Sequence, residues 1–303
     1  AGYDGIWADA RNSSVAFGFV ESKVPAMSVS AEERERVFQQ AWDHGGGFHF
    51  MFGTFCDIAT DPQANEAAAD FIRRKIAEIV EDPETARKLT PRDLYARRPL
   101  CDGGYYETFN RDNVTLVDVR ENPIVRLTET GVVTADGQEH PLDVLVYATG
   151  FDGVDGAYRS IELQGRNGIR IADKWSEGAT SYLGITNADF PNMFMILGPN
   201  GPFTNLPPSI ETQVEMIADL VRATEERGAR TVEATQQAES SWMKTCNDIA
   251  QMTLFPKNES WIFGANIPGK KHAVLFYMGG LAAYREQLSR IAANGWEGFR
   301  ITV

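Results

Sequence analysis

The chain has 303 residues, enough for one large domain or two of ordinary size. Its composition, 43% hydrophobic and 23% charged, is that of a globular protein. The formal net charge of −13 argues against nucleic acid as a partner, because phosphates attract basic proteins, and no apolar run of about 18 residues is present that could span a membrane.

The cysteines and the N-terminal residues bear on the compartment. Cys56, Cys101 and Cys246 are an odd number without a C-x-x-C pair, which is typical of reduced thiols. The opening stretch AGYDGIWADARNSS has no basic region followed by an apolar run, so it lacks the pattern of a signal peptide. We therefore predict a cytoplasmic protein. His44 and His49 lie five residues apart across three glycines, a spacing that predicts no metal site.

Residues 1–102 are predicted to be mostly helical. Segment 30–47 begins with a serine that can cap a helix, has glutamate at the third helical position and ends at glycines. Segment 61–91 has apolar residues at roughly helical spacing, with a break near Asp82 and Pro83.

From residue 103 the pattern becomes that of β-structure. Three short runs rich in β-branched residues, 113–120, 124–137 and 143–149, are separated by turn residues. The stretch TADG, residues 134–137, predicts a hairpin turn. The run 143–149 is apolar on both faces except at its start, which favours a buried strand.

Residues 150–303 mix loops and strands with two helices, predicted over 207–228 and 238–255. The first helix has proline in its first turn and Gly228 at its end. Its predicted buried face comprises Ile210, Val214, Ile217 and Val221.

The segment DVLVYATG, residues 143–150, has the pattern of the last strand of a nucleotide-binding domain and its following turn. Such a domain opens with a strand, a glycine-rich turn and a helix, since only glycine lets the backbone approach the pyrophosphate. The chain contains no G-x-G-x-x-G motif. It therefore cannot build a dinucleotide site of that type alone.

Two adjacent arginines, Arg97 and Arg98, precede Pro99 at the end of the helical region. Paired arginines are usually a solvated surface patch. This pair lies among apolar and aromatic residues, however, where arginine normally has an anionic partner.

Three other stretches have both structural and functional interpretations. The loop 196–209 is either an ordinary rigid loop or a way to aim the N–H groups of the next helix at an electron-rich group. Trp261 lies on a loop with several glycines and is either a core residue or part of a lid over a ligand. The phenylalanines of 15–19 and 48–55 are core residues by default and can also wall an apolar pocket.

Five stretches together, in order and spacing, resemble the C-terminal part of type I Baeyer–Villiger monooxygenases and, within them, the cyclohexanone monooxygenases. They are AMSVSAEERERVFQQAWDHGGGFHFMFGTF, ARRPLCDGGYYE, DVLVYATGFD, LGPNGPFTNLPPSIETQVE and SWIFGANIPGKK. The resemblance covers essentially all 303 residues. It implies an α/β fold that is part of a flavoprotein with two dinucleotide-binding domains. Residues 1–102 would form a helical insertion in the NADP domain, 103–149 the C-terminal part of that domain, and 150–303 the C-terminal part of the FAD domain.

The resemblance also implies an activity. NADPH reduces FAD, the reduced flavin binds O₂ as a C4a-peroxyflavin, and this attacks a cyclic ketone to give a lactone or ester. The cofactors would be FAD and NADP, and the partners a ketone, O₂ and the N-terminal part of the same enzyme. That part, which carries the glycine loops in the family, would precede this chain. The segment alone is therefore expected to be inactive.

Site residues are assigned where this sequence matches the family's motifs. Arg98 matches the catalytic arginine, whose fixed charge suits a negatively charged peroxide and adduct. Arg97 stands where the family often has a lysine contacting NADP, and Trp261 matches a tryptophan on a loop that closes over NADP. The remaining cofactor contacts are assigned to Ala148, Thr149, Gly150, Asn205 and Leu206, and the substrate pocket to Phe203, Thr204, Phe276, Phe17, Phe50 and Phe52.

Two alternatives stay open. One is a flavin monooxygenase that oxidises nitrogen or sulfur centres; such enzymes share the Ala-Thr-Gly turn but typically lack an arginine before proline, so Arg98 argues against it. The other is a non-catalytic segment, which the missing glycine motifs favour. The mass of the protein and its flavin spectrum separate these cases.

Overall fold

The computed structural model describes residues 2–303. These residues form ten α-helices: α1 (Tyr3–Asn12), α2 (Ala31–His44), α3 (Pro62–Ile79), α4 (Pro83–Leu89), α5 (Tyr105–Thr108), α6 (Gly156–Ser160), α7 (Ile171–Lys174), α8 (Leu206–Glu226), α9 (Gln236–Gln251) and α10 (Leu281–Ala293). They also form seven short strands: β1 (Ile124–Leu127), β2 (Gly131–Thr134), β3 (Glu139–Pro141), β4 (Gly201–Pro202), β5 (Thr231–Ala234), β6 (Phe276–Tyr277) and β7 (Phe299–Thr302). None of the helices within this range is long and apolar enough to cross a membrane.

The helical N-terminal third follows the local capping signals. The Ser30 side chain accepts a hydrogen bond from the Glu33 N–H at 3.2 Å, and Gly45, with φ of 81°, ends α2. Asp82 caps α4 in the same way, and Pro83 occupies its first turn. The predicted helix in segment 30–47 and the broken helix in 61–91 are therefore confirmed.

The core between α2 and α3 is built from phenylalanines. Phe38 is 2% exposed, and its ring centroid lies 5.2 Å from that of Phe50, 5.3 Å from Phe55 and 5.6 Å from Phe71. Aromatic pairs at such distances contribute about 0.5–1.5 kcal/mol each beyond their buried area. Phe50 itself belongs to a π-helical turn, His49–Gly53, which this cluster anchors.

A small antiparallel sheet, β1–β2–β3, follows the helices. The Thr134 N–H donates to the Gln138 carbonyl at 3.0 Å, and the Gly137 N–H donates to the Thr134 carbonyl at 2.9 Å. Gly137 has φ of 84°, which glycine adopts without strain. The hairpin turn predicted at 134–137 is confirmed.

Two of the predicted strands are wrong. Residues 113–120 and 143–149 have no regular secondary structure, and 143–149 is exposed rather than buried: Val144, Val146 and Tyr147 are 74%, 76% and 72% exposed. A strand needs neighbours for its backbone hydrogen bonds. Within residues 2–303 no strand pairs with either segment, so their β-branched residues have no sheet to join.

The C-terminal region packs α8, α9 and α10 around aromatic residues. The Trp242 ring stacks on Tyr277 at 4.9 Å between centroids, and the fully buried Tyr284 lies 5.9 Å from Tyr277. Strands β5 and β7 pair antiparallel at one edge, and β4 pairs parallel with β6. Helix α1 contacts α8 and α10.

The predicted buried face of α8 is wrong. Val214 and Val221 are 48% and 38% exposed, and Ile210 and Ile217 are half-buried. The face that is buried instead consists of Pro208, Ser209, Thr212, Gln213, Met216, Leu220 and Thr224. Polar members of this face can be buried because they are hydrogen-bonded: the Gln213 Oε1 accepts from the Leu197 N–H at 2.7 Å.

Candidate functional site

The backbone before Arg98 is fixed by two buried asparagines. The Asn65 side chain bonds both the N–H of Tyr95 (3.0 Å) and its carbonyl (2.7 Å). The Asn258 amide donates to the carbonyls of Leu94 and Ala96, at 2.9 and 3.1 Å. Both asparagines were missed in the sequence, because neither has a local pattern and their partners are remote along the chain.

Arg98 lies on the surface of this fixed segment with its guanidinium over the ring of Phe48, 5.2 Å from the centroid. Its one hydrogen bond within the described residues is a long one, 3.5 Å, to the carbonyl of Pro99. No carboxylate of residues 2–303 forms an ion pair with it, so the expected anionic partner is not found among these residues. Arg97, by contrast, pairs with Asp93 at 2.6 Å.

Phenylalanines of two segments meet beside Arg98. The rings of Phe17 and Phe48 stack at 4.2 Å, and the Phe52 ring lies 6.5 Å from that of Phe48. All three are half-buried. Phe50 is different: it is 5% exposed and its ring packs into the core against Phe38.

A cavity of about 610 Å³ opens beneath the two arginines. Its lining includes Trp42, Phe50, Arg73, Tyr106 and the glycines at 45–47. A Cβ at Gly47 would lie 2.9 Å from both the Leu100 carbonyl oxygen and the Pro99 Cβ. Gly47 therefore lets the chain that follows Arg98 approach α2 closely.

A second aromatic cluster brings Phe203, Phe276 and Trp261 together. The Phe276 ring lies 5.0 Å from Phe203 and 5.8 Å from Trp261. The parallel pairing of β4 with β6 causes this, since the Phe203 N–H donates to the Tyr277 carbonyl at 2.9 Å. Trp261 is 37% exposed, which is compatible with a role at a surface loop rather than in the core.

The start of α8 joins this second cluster to the segment that carries Phe17. The Asn205 N–H donates to the Val15 carbonyl at 3.0 Å, and its side-chain amide donates to the Ala16 carbonyl at 2.9 Å. Ala16 is fully buried. Thr204 lies in the same turn, with its hydroxyl 2.6 Å from that of Ser209.

The N-terminus of α8 keeps an open donor. The Leu206 N–H makes no hydrogen bond within residues 2–303, and the Asn205 side chain does not cap the helix. Pro207 and Pro208 have no N–H to offer. An acceptor outside these residues can therefore bind the Leu206 N–H, where the helix dipole favours negative charge.

Ala148, Thr149 and Gly150 are exposed, and no hydrogen bond joins them to the rest of residues 2–303. Gly150 has φ of 94°, a conformation that favours glycine. The chain is fastened directly after them, where the Asn266 side chain donates to the Phe151 carbonyl at 2.8 Å. The three residues thus form no hydrogen bond within residues 2–303, and Asn266 holds the segment that follows.

Cysteine and histidine side chains are the other groups whose residue types could carry chemistry. Cys246 is buried, which raises its thiol pKa to about 12, and Cys101 is exposed. The His44 and His49 rings lie 4.9 Å apart; burial, and to a smaller extent His44, lowers the pKa of His49. Among residues 2–303 no three His, Cys, Asp or Glu side chains form a group that could hold a metal ion.

Known proteins similar to this chain are monooxygenases. A Baeyer–Villiger monooxygenase of Pseudooceanicola batsensis is 61% identical over 296 residues, 98% of this chain and 54% of the relative. Cyclohexanone 1,2-monooxygenase of an Acinetobacter species is 59% identical, over 99% of this chain and 55% of the relative. A phenazine N-monooxygenase of Lysobacter antibioticus is 57% identical, over 98% and 55%. No protein-family model matches the chain.

Solved structures of cyclohexanone monooxygenases are similar to this chain in fold as well. The crystal structure of cyclohexanone monooxygenase from Rhodococcus sp. Phi1 bound to NADP+ has a TM-score of 0.97 and 65% identity, covering 99% of this chain and 56% of that one. A closed crystal structure of cyclohexanone monooxygenase has the same TM-score and 64% identity. The predicted fold class, part of a flavoprotein with two dinucleotide-binding domains, is therefore confirmed.

The resemblance noted in the sequence is confirmed over the full length of the chain, while the chain spans about half the length of the curated relatives it matches. In sequence and in fold, the chain is similar over nearly its whole length to Baeyer–Villiger monooxygenases of the cyclohexanone monooxygenase type, and it matches about half the length of such an enzyme.

Proposed function

We propose that this chain is part of an FAD- and NADPH-dependent Baeyer–Villiger monooxygenase that converts cyclic ketones to lactones or esters with O₂. The observation that carries the proposal is the position of Arg98. A permanent cation lies on a rigid segment beside an aromatic wall, and no carboxylate of residues 2–303 neutralises it. The names of the relatives give the reaction class.

The residues present fit a bound flavin. The open Leu206 N–H at the start of a 21-residue helix suits the electron-rich edge of such a ring. Phe203 and Thr204, in the turn just before this helix, would border the ring. When bound, FAD supplies the reduced flavin that activates O₂. The chain's own part is to hold and surround that cofactor.

Arg98 has the properties needed to stabilise negative charge in the transition state. Its planar guanidinium is a cation, and its stacking on Phe48 directs it without neutralising it. Removing a preorganised donor of this kind typically costs about 10²–10³-fold in kcat. Asn65 and Asn258 support Arg98 by fixing the backbone on which it stands.

NADP would contact Arg97 and Trp261. The Arg97 guanidinium forms an ion pair with Asp93 and is half-exposed. Its solvent-facing N–H groups could therefore bind a phosphate or amide of NADP. Trp261 presents an exposed indole on a loop that contains Gly264, whose φ is 76°. Ala148, Thr149 and Gly150 would form the crossing between the NADP and FAD domains, consistent with their exposure and with the absence of hydrogen bonds from them to the rest of residues 2–303.

The substrate pocket would be apolar. Phe17 and Phe52 in one aromatic cluster, and Phe203 and Phe276 in the other, would offer aromatic walls without charge. Phe50 contributes only from the core behind them. Such a pocket favours a cyclic aliphatic ketone but separates ring sizes weakly, because one methylene is worth about 1–3 kcal/mol.

The proposed function implies the same domain boundaries that the sequence predicts. Residues 1–102 would be a helical insertion of the NADP domain, 103–149 the end of that domain, and 150–303 the end of the FAD domain. The exposed apolar run 143–149 supports this division, because it has the composition of a buried strand and finds no partner in the described residues. The rest of the enzyme would supply the neighbouring strands and the glycine loops.

The full-length protein tests the proposal directly. It should be yellow, with the spectrum of bound flavin, and should convert cyclohexanone to the lactone while oxidising NADPH. A colourless protein, or a flavoprotein that oxidises NADPH without forming lactone, would refute the proposal. A colourless protein of the mass of this chain, 33.6 kDa, would instead favour a non-catalytic segment.

N-oxidation is a second candidate. One relative that is 57% identical is named a phenazine N-monooxygenase, so overall similarity does not separate the two reactions. Both would use the same flavin site, with an aromatic heterocycle in place of a ketone. Incubating the full-length protein with phenazine and cyclohexanone in competition decides between them from the ratio of N-oxide to lactone.

A further inference from the structure

Lys270 is held by two carboxylates of a distant segment. Its side chain is 8% exposed, and its ammonium group forms ion pairs with Asp152 and, at 2.5 Å, with Asp155. Asp155 is fully buried. The neighbouring Lys271 is 58% exposed and pairs with Glu177, itself 76% exposed. Of the two adjacent lysines, the side chain of Lys270 is therefore buried and that of Lys271 lies on the surface.

Two further contacts join the same pair of segments. We call residues 260–272 the Trp261 loop and residues 150–156 the crossing segment. The Asn266 amide donates to the Phe151 carbonyl at 2.8 Å. A Cβ at Gly153 would lie 3.5 Å from the Trp261 ring, so the backbone of the crossing segment lies directly against the indole. The stem of Lys270 covers Gly264 within the loop.

We propose that Lys270 is a positioning residue, whose ion pairs with Asp152 and Asp155 hold the Trp261 loop against the crossing segment and thereby set Trp261 for contact with NADP. This rests on the proposed function, in which the crossing segment joins the two nucleotide domains. A movement between those domains would then be transmitted to Trp261 through this ion cluster. No sequence pattern indicates this role, since the lysine and the aspartates are far apart along the chain.

The charges at this point favour a firm attachment. Arg159 lies 3.7 Å from the second carboxylate oxygen of Asp155. The cluster therefore contains two cations, Lys270 and Arg159, and two carboxylates, Asp152 and Asp155. Burial acts to lower the pKa of Lys270, but its hydrogen bonds to Asp152 and Asp155 outweigh burial and raise it, which keeps the lysine protonated. Loss of Lys270 would leave Asp152 and the buried Asp155 close together with too little positive charge. Their repulsion would separate the loop from the crossing segment.

The test compares Lys270→Met, which keeps the apolar stem, with Lys271→Met as the matched control, in the full-length holoenzyme. Chymotrypsin cleavage at Trp261 and Phe263, measured without NADP+, reports the position of the loop. Lys270→Met should speed this cleavage and raise the Kd of NADP+ by about tenfold, as expected for loss of a buried ion pair. Lys271→Met should change neither quantity, and Lys270→Arg should restore most of both.

Equal cleavage rates and equal NADP+ affinity in the two Met variants would overturn the inference. The outcome is distinct from failure of the proposed function. If the wild-type protein forms lactone and Lys270→Met behaves like wild type, the inference alone is wrong. If the protein forms no lactone, the cleavage rates still decide whether Lys270 holds the loop. Asp152→Asn combined with Lys270→Met should be non-additive, because both changes remove the same contact.

Discussion

The side-chain amide of Asn258 donates a hydrogen bond to the backbone carbonyl of Ala96, at 3.1 Å. Asn258 stands three residues before Trp261, and Ala96 two residues before Arg98. One amide therefore links the loop that carries the proposed NADP contact to the segment that carries the proposed catalytic cation. Ala96 is fully buried and Asn258 is 8% exposed, so water does not compete for this bond.

We expect Asn258→Ala to reduce both stability and activity. The substitution leaves the buried Ala96 carbonyl without this partner, which costs about 1–3 kcal/mol, while the half-buried Leu94 carbonyl keeps the Ala96 N–H as a donor. The released segment should also let Arg98 move, so kcat for the ketone should fall more than KM changes. Asn247→Ala is the matched control, because Asn247 is exposed and bonds only within its own helix. Equal effects of the two variants on kcat would contradict the linkage.

Gly47→Ala should disturb the chain just after Arg98. The added Cβ would lie 2.9 Å from the Leu100 carbonyl oxygen, a backbone atom that cannot move aside cheaply. Overpacking of this kind costs about 1–3 kcal/mol, and ketone oxidation should fall because Pro99 and Leu100 shift. Gly103→Ala serves as the control, since no atom lies within 4 Å of its added Cβ. Urea unfolding and lactone formation measure the two effects, and a Gly47→Ala protein that matches the control would refute the steric argument.

Trp261→Ala should weaken NADP+ retention without loss of FAD. The indole packs against Phe276 on one side and is open on another, so its removal takes away a cofactor contact and leaves the core intact. The measurement is the Kd of NADP+ together with flavin content. Trp7→Ala is a suitable control, because Trp7 belongs to α1 and its indole N–H bonds Glu211 of α8 rather than any residue of the Trp261 loop. Unchanged NADP+ affinity in Trp261→Ala would count against the proposed role of Trp261 in a lid over NADP.

Glu233 should make stability depend on pH. Burial raises the pKa of its carboxyl, but hydrogen bonds from Arg166 and Arg300 outweigh burial and hold it below its ordinary value of 4.5. The ion cluster therefore stabilises the fold fully above about pH 4.5, and this contribution is lost as the pH falls through the lowered pKa. The urea midpoint of Glu233→Gln should vary less with pH in that range than that of the exposed control Glu226→Gln. Parallel curves for the two variants would show that Glu233 carries no such linkage.

Predictions from the sequence succeeded where the signal is local. Ser30 caps α2 as predicted, and the predicted break near Asp82 is where that side chain caps α4, because each acts through a hydrogen bond to the residue three positions on. The strands predicted at 113–120 and 143–149 failed because a strand exists only with neighbours, and none of the described residues provides them. The composition of a segment indicates that it can form a strand, but a strand forms only where a neighbouring strand supplies hydrogen-bond partners.

Positions along the chain are a poor guide to spatial contacts. Arg98 was predicted from the family's motif, yet its stacking on Phe48 has no signature in sequence spacing. The buried face of α8 was wrong for a related reason: Gln213 is buried because Leu197 and Tyr284 bond its side chain, and apolar periodicity cannot indicate such partners. Lys270 and Asp155 were missed likewise, since only the folded chain brings them together.

The most direct test of the account is lactone formation by Arg98→Ala in the full-length protein, with the exposed Arg92→Ala as control. FAD content should equal that of the wild type, because no cofactor-binding role is assigned to this side chain. Arg98→Ala should still oxidise NADPH, but its rate of lactone formation should fall by about 10²–10³-fold or more, while Arg92→Ala should stay near the wild-type rate. Near-normal lactone formation by a flavin-loaded Arg98→Ala protein would contradict it.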